Sequence, residues 1–235
     1  MSEEAKALLR RLKKEKKINK QIELIQKLQA YNNEEIVTHV LLVHLERKDH
    51  DAFRTEVLNA LNPKDEFIIK PLSQILFNKD EPLTIRQKVV MLLGQNGSKK
   101  ALSTLLTAAK KIKDPLLLDN IILGLTYFED KKVEKPLLKA LENEDLRLQV
   151  LTGLARNENL LLRSYPLIKA ALNLSITKSF EKLHYEKILE TLLAEFGYQT
   201  KEELLAAISD KSIMKKITAY NKKQTEIAAT LKKIR

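Results

Sequence analysis

Between Asp51 and Leu172 the chain repeats itself about once every thirty residues. Residues Ile85–Leu106 (IRQKVVMLLGQNGSKKALSTLL) lie on Leu117–Leu138 (LLDNIILGLTYFEDKKVEKPLL) without a gap. Lys99-Lys100 then falls on Lys131-Lys132, Ala101 on Val133, and Leu105-Leu106 on Leu137-Leu138. A fixed period of this size marks stacked helical hairpins, in which each hairpin hides its apolar flank only against the next.

Local signals agree with that period. First helices show one apolar face, as in Phe53, Val57, Leu61 and again in Ile85, Val89, Leu92. Lys70-Pro71-Leu72 and Lys135-Pro136-Leu137 are the same tripeptide, and Pro166-Leu167 occupies the matching place once more. Proline suits a first helical turn, where no amide bond is lost, so these prolines mark equivalent helix starts. Asp80, Asp114 and Asp145 stand where a helix N-cap is needed. Gly124 and Gly153 match in adjacent repeats, which predicts close helix contact, and Asn96-Gly97 predicts a left-handed helix end. With only five glycines, no Trp and no Cys, the composition is that of an all-α protein.

These repeats resemble the HEAT family in its bacterial form. Asp80…Arg86 and Asp145…Arg147 carry parts of its Asp/Arg pattern. Ala101…Leu105-Leu106 and Val133…Leu137-Leu138 carry its second-helix pattern, while Leu118 stands where Arg86 would fall. The resemblance covers 50–173 and implies a right-handed α-solenoid that binds partners on an extended surface, and no reaction. Armadillo-like repeats share these degenerate motifs.

The chain thus divides into a basic helical arm (1–20), a capping helix pair (21–49), about four repeats (50–173), further C-terminal helices (174–210) and a basic amphipathic helix (211–235). In the capping pair, Ile36, Val40 and Val43 are spaced to form the apolar face of the second helix. Phe180, Leu183, Ile188 and Leu192 do the same after the repeats, and Thr200 with Glu203 has capping-box spacing. In 211–235, Ile213, Ile217, Tyr220, Gln224, Ile227, Leu231 and Ile234 form a heptad seam with one polar member.

Charge is unevenly placed. The net charge of +11 arises at the ends: residues 1–20 hold eight Lys/Arg against three Glu, and 211–235 hold eight against one. The middle is nearly neutral, with 26 basic and 27 acidic residues. Arg10, Arg11, Lys13, Lys14, Lys215, Lys216, Lys222 and Lys223 are therefore the candidate anion-binding residues. Lys99, Lys100, Lys131, Lys132 and Lys135, at hairpin turns and second helices, are the candidate contacts for a protein partner.

No catalytic, cofactor or metal residue is assigned. His39 and His44 are five apart, so they do not share a helix face as metal ligands would, and His50 lies between two acids in a turn. There is no phosphate-cradling glycine loop and no nucleophile elbow. The expected function is a non-enzymatic scaffold for a protein or peptide. The alternatives are phosphate-backbone binding by the basic ends or, further off, a HEAT-like DNA glycosylase using Tyr127-Phe128 beside Glu129-Asp130. A charged N-terminus, the absence of cysteine and the lack of long apolar stretches lead us to expect a cytoplasmic protein without membrane insertion.

Overall fold

The computed structural model describes residues 1–48 and 50–234; Asp49 and Arg235, and the side chains of Lys233 and Ile234, lie outside that description. Among the described residues 79% are helical and none is in a strand. The helices are α1 (Glu3–Lys14), α2 (Ile18–Leu28), α3 (Glu35–Leu45), α4 (Asp51–Ala60), α5 (Ile69–Phe77), α6 (Leu83–Asn96), α7 (Lys99–Lys111) and α8 (Pro115–Leu125). They continue as α9 (Glu134–Glu142), α10 (Glu144–Arg156), α11 (Glu158–Arg163), α12 (Tyr165–Leu172), α13 (Ser179–Phe196), α14 (Lys201–Ser209) and α15 (Ile213–Ile234). The chain forms two compact units, Met1–Gly124 and Leu125–Arg235.

In the first unit α2, α4 and α6 pack in sequence, and α5 packs on α6 and α7. In the second, α10 packs on α9, α11 and α13, while α15 lies on α11 and α14. The core is mostly aliphatic, with Leu12, Ile25, Leu41, Val57, Leu72, Ile85 and Leu105 buried in the first unit beside the aromatic Phe53. Leu137, Leu151, Leu161, Ile168, Ile188 and Leu192 are buried in the second.

Helix ends follow local chemistry, with two departures from expectation. Ser98 Oγ accepts from Ala101 N, and Asp114 accepts from Leu117 N, as N-caps should. Asp80 and Asp145 do not cap. Each donates its own N–H to the Asn two residues earlier, Asn78 and Asn143, and Asn143 is the cap of α10. At α10 Asn143 takes the cap because it stands two places nearer the turn and its oxygen reaches the amide two residues on, whereas α6 starts after Pro82 with no side-chain cap. Gly97 closes α6 at φ +74°, in the left-handed region. Pro71 and Pro136 lie in the first turns of α5 and α9, just after short 3-10 turns (Glu66–Ile68 and Lys131–Val133), and Pro166 lies in the first turn of α12.

Two recurring devices join neighbouring hairpins. The first is an asparagine at a hairpin turn. Asn32 Nδ2 donates to Ala60 O at 3.2 Å, Asn62 Nδ2 to Asn33 Oδ1 at 2.8 Å, and Asn96 Nδ2 to Pro63 O at 2.7 Å. In the second unit Asn157 Nδ2 donates to Thr126 O at 2.8 Å. Each bond spans 28 to 33 residues, one repeat. The second device is an arginine at the fourth position of a first helix: Arg54 in α4, Arg86 in α6 and Arg147 in α10. Their Nε atoms donate to Leu45 O, Leu76 O and Leu141 O, at 3.0, 3.0 and 3.1 Å. Those carbonyls belong to the last turns of α3, α5 and α9, which lack intrahelical donors. Leu118 is the fourth residue of α8, so that helix alone of the four has no such arginine.

Arg54 is the most deeply placed of these. Its Nη2 meets Glu81 Oε2 at 2.6 Å, and both side chains are buried. Arg147 Nη1 faces buried Glu181 at 3.9 Å, an ion pair without a hydrogen bond.

Two helices depart from the inward face their spacing suggests, α3 throughout and α13 in its first turns only. In α3 the buried residues are Val37, Thr38, Leu41 and Leu45, and Ile36 and Val43 are exposed. In α13 Phe180 and Leu183 are exposed, while Glu181, Tyr185, Ile188 and Leu192 are buried. α3 is apolar nearly all round, so periodicity does not choose a side. α13 is turned so that Glu181 meets Arg147.

His44 stacks edge-on against buried Phe53, with ring centroids 5.7 Å apart. Burial first, and Arg47 second, push its pKa below the usual 6.5. Just below pH 6.5 the unfolded chain therefore takes up a proton that the folded chain refuses. The stabilisation is complete above that pH and is lost as pH falls through the window beneath it. Denaturant midpoints measured from pH 7.5 to 5 should fall with pH, and His44→Gln should make that slope shallower.

Candidate interaction surfaces

Four surfaces stand out, each built by a specific local sequence. The first is apolar. Ile36, Val40 and Val43 repeat at helical spacing on the outer face of α3; Ile36 is 51% exposed and Val43 66%. The 3-10 turn Glu66–Ile68 packs on α3 and adds Phe67, which is 59% exposed and lies 5.8 Å from the His39 ring. Solvated apolar side chains are common singly, but a row on one helix with an aromatic beside it is a patch. Glu66, next to Phe67 in the chain, pairs with Lys100 at 3.1 Å.

The second surface is basic. Arg10, Arg11, Lys13, Lys14, Lys16, Lys17 and Lys20 are all exposed around the turn from α1 to α2. α1 can present them because its apolar side, Ala5 and Leu12, is spent on packing. The only acid within this run is Glu15. Its carboxylate accepts the N–H groups of Lys17 and Lys16 at 2.9 and 3.0 Å, and the Lys17 bond chiefly holds its pKa below the usual carboxylate range.

The third is the half-packed α15. Ile213, Ile217 and Tyr220 are buried, whereas Ile227 and Leu231 in the same seam are exposed. The heptad seam thus closes the protein only over its first half. Lys215, Lys222, Lys223 and Lys232 are exposed along this helix. Lys216 is committed locally: its Nζ donates to Phe196 O and sits 3.9 Å from the Tyr198 ring centroid. It caps the C-terminal end of α13, which gives it a structural task, and Lys222 has an exposed i,i+4 partner in Glu226 at 4.0 Å.

The fourth is a pair of hollows beside α15, of about 460 and 430 Å³. A polar chain crosses between them. Tyr220 OH donates to Asn159 Oδ1 at 2.6 Å, Asn159 Nδ2 donates to Glu129 Oε1, and Glu129 pairs with Arg163 at 3.0 Å. Burial raises the Tyr220 pKa, so the phenol stays protonated and keeps donating. Tyr127 OH accepts from Arg156, Phe128 is core, and Asp130 caps the turn before α9 through Lys132 N. Every member of the Tyr127–Asp130 cluster therefore has a packing or hydrogen-bonding task.

The other sequence-derived candidates lie at helix starts. Lys99 and Lys100 are in the first turn of α7, Lys131 and Lys132 in the 3-10 turn before α9, and Lys135 in α9, all exposed. Sequence reading overlooked the apolar face of α3, the buried Arg54–Glu81 pair and the asparagine row. The last two had legible signals: Arg54 precedes Arg86 by about one period, and Asn32, Asn62 and Asn96 recur at nearly the same interval. Among the described residues no helix is long and apolar enough to cross a membrane, and no cluster of three or more His, Asp or Glu is placed to share a metal ion. Neither a protein-family model nor a curated protein matches this chain.

Proposed function

We propose that this chain is a HEAT-like α-solenoid and a non-enzymatic scaffold that recognises a protein partner on its helix surface. The one-period asparagine bonds and the arginine at the fourth residue of successive first helices support the repeat reading, because stacked equivalent hairpins place equivalent groups in register. The observation that carries the recognition reading is the outer face of α3 with Phe67. Ile36, Val43 and Phe67 remain largely in water although the fold buries Val37, Leu41 and Leu45 of the same helix completely or almost so. A fold that hides one flank of α3 and leaves an equally apolar flank open has a surface suited to a partner's apolar side chains.

The test is affinity capture from native lysate with nuclease and 0.5 M salt present, followed by mass spectrometry. The wild-type chain should retain a defined protein partner under those conditions. The double variant Ile36→Asp/Val43→Asp should lose it while keeping its unfolding midpoint. Equal capture by the variant, or capture that vanishes with nuclease, would refute this reading.

A further inference from the structure

We propose that the α1–α2 corner is a binding site for the phosphate backbone of duplex nucleic acid, without regard to base sequence. This inference is independent of the scaffold reading and uses none of the same residues.

Arg10, Lys13 and Lys14 fall at i, i+3 and i+4 on α1, on the side away from buried Ala5 and Leu12. Such positions are neighbours on a helix surface and give one basic stripe. Lys16, Lys17 and Lys20 carry that charge past the turn onto the start of α2, all exposed. Like charges this dense repel one another and are tolerated rather than stabilising. A polyanion relieves that repulsion, and duplex nucleic acid carries about one charge per 1.7 Å of its axis. The only acid of the run is occupied by backbone amides, so it does not bridge the cations.

The make-up of the patch separates the classes of polyanion. An anionic membrane would ask for exposed apolar side chains to enter it, and no large exposed apolar residue lies between Met1 and Ile36 among the described residues. Single strands are held by stacking on aromatics. No Phe, Tyr or Trp occurs in residues 1–30, and Tyr31 stands at the far end of the α1–α2 hairpin, where its hydroxyl donates to Glu4 at 2.6 Å. What remains is a set of long cationic side chains, five of the seven being lysines that meet phosphate as point charges, which fits a duplex held by its backbone.

The experiment titrates the full chain against a fluorescent 24-base-pair DNA duplex of arbitrary sequence, from 50 to 200 mM salt. Neutralising about four phosphates should lower affinity on the order of 100-fold across that range. Arg10→Glu/Lys13→Glu/Lys14→Glu should bind at least tenfold more weakly at 100 mM salt and show a shallower salt slope. A second variant with Gln at those positions should fall between it and the wild type, and guards against misfolding of the first. Lys99→Glu/Lys132→Glu/Lys135→Glu changes net charge equally and should keep most of the affinity. The proposal is overturned by no binding at 50 mM salt or by equal loss in the two charge-reversed variants. It is equally overturned if phosphatidylserine vesicles or poly-glutamate bind as well as the duplex.

Discussion

Arg54→Met should destabilise the protein by about 3–5 kcal/mol, read as a drop in the denaturant midpoint of the unit containing residues 1–124. The cost is not chiefly the lost attraction. Glu81 would keep its charge in a buried site where Arg54 Nη2 now stands 2.6 Å away, and an unpaired buried carboxylate is expensive. Leu45 O would also lose the Nε donor that completes the end of α3. Glu81→Leu alone should be comparably damaging, because it strands the guanidinium. The double variant Arg54→Met/Glu81→Leu removes both charges and should recover most of the loss, since apolar side chains of similar volume replace buried ion pairs at little cost. If the double variant is as unstable as the sum of the singles, the pair is not a unit and the account is wrong. Typical domains are stable by about 5–15 kcal/mol, so either single change removes a large share.

Gly153→Ala should lower stability by about 1–3 kcal/mol, although helix propensity alone would raise it by nearly 1 kcal/mol. Gly153 lies within α10, and a Cβ there would overlap Thr126 Oγ1, Cβ and Cγ2. Thr126 is itself buried and its carbonyl holds Asn157, so it has little room to withdraw. The equivalent glycine, Gly124, is less confined, since a Cβ there would stand 3.0 Å from Val90 Cγ1 and 3.3 Å from Leu105 Cδ1. Gly124→Ala should therefore cost less than Gly153→Ala. Thr126→Gly in the Gly153→Ala background should restore part of the loss. A double-mutant cycle on thermal unfolding measures this coupling, and no coupling would mean that propensity outweighs packing at this site.

The approximate helix positions were written in local chemistry. Prolines 71, 136 and 166 mark first turns, Ser98 and Asp114 cap, and Gly97 ends α6. The thirty-residue period is legible in the chain because short-range patterns suffice to show repetition of sequence. The surfaces were less legible. The basic run from Arg10 to Lys20 is plain in the chain, since charge needs no partner to be counted. The apolar patch on α3 was hidden, because EIVTHVLLVHL has apolar residues on every side and any face could have been the inner one.

By itself, then, the order of amino acids determined what is local: helix starts and stops, the repeat length, the shared face of Ile213, Ile217, Tyr220, Ile227 and Leu231, and where positive charge accumulates. Only tertiary packing decided that α3 buries Val37 and Leu41 instead of Ile36 and Val43, that Glu181 goes inward to Arg147, and that α15 is covered as far as Tyr220 and uncovered beyond it. The physical reason is that periodicity records which side chains lie together on a helix. Whether another element arrives to take them out of water depends on residues far away in the chain.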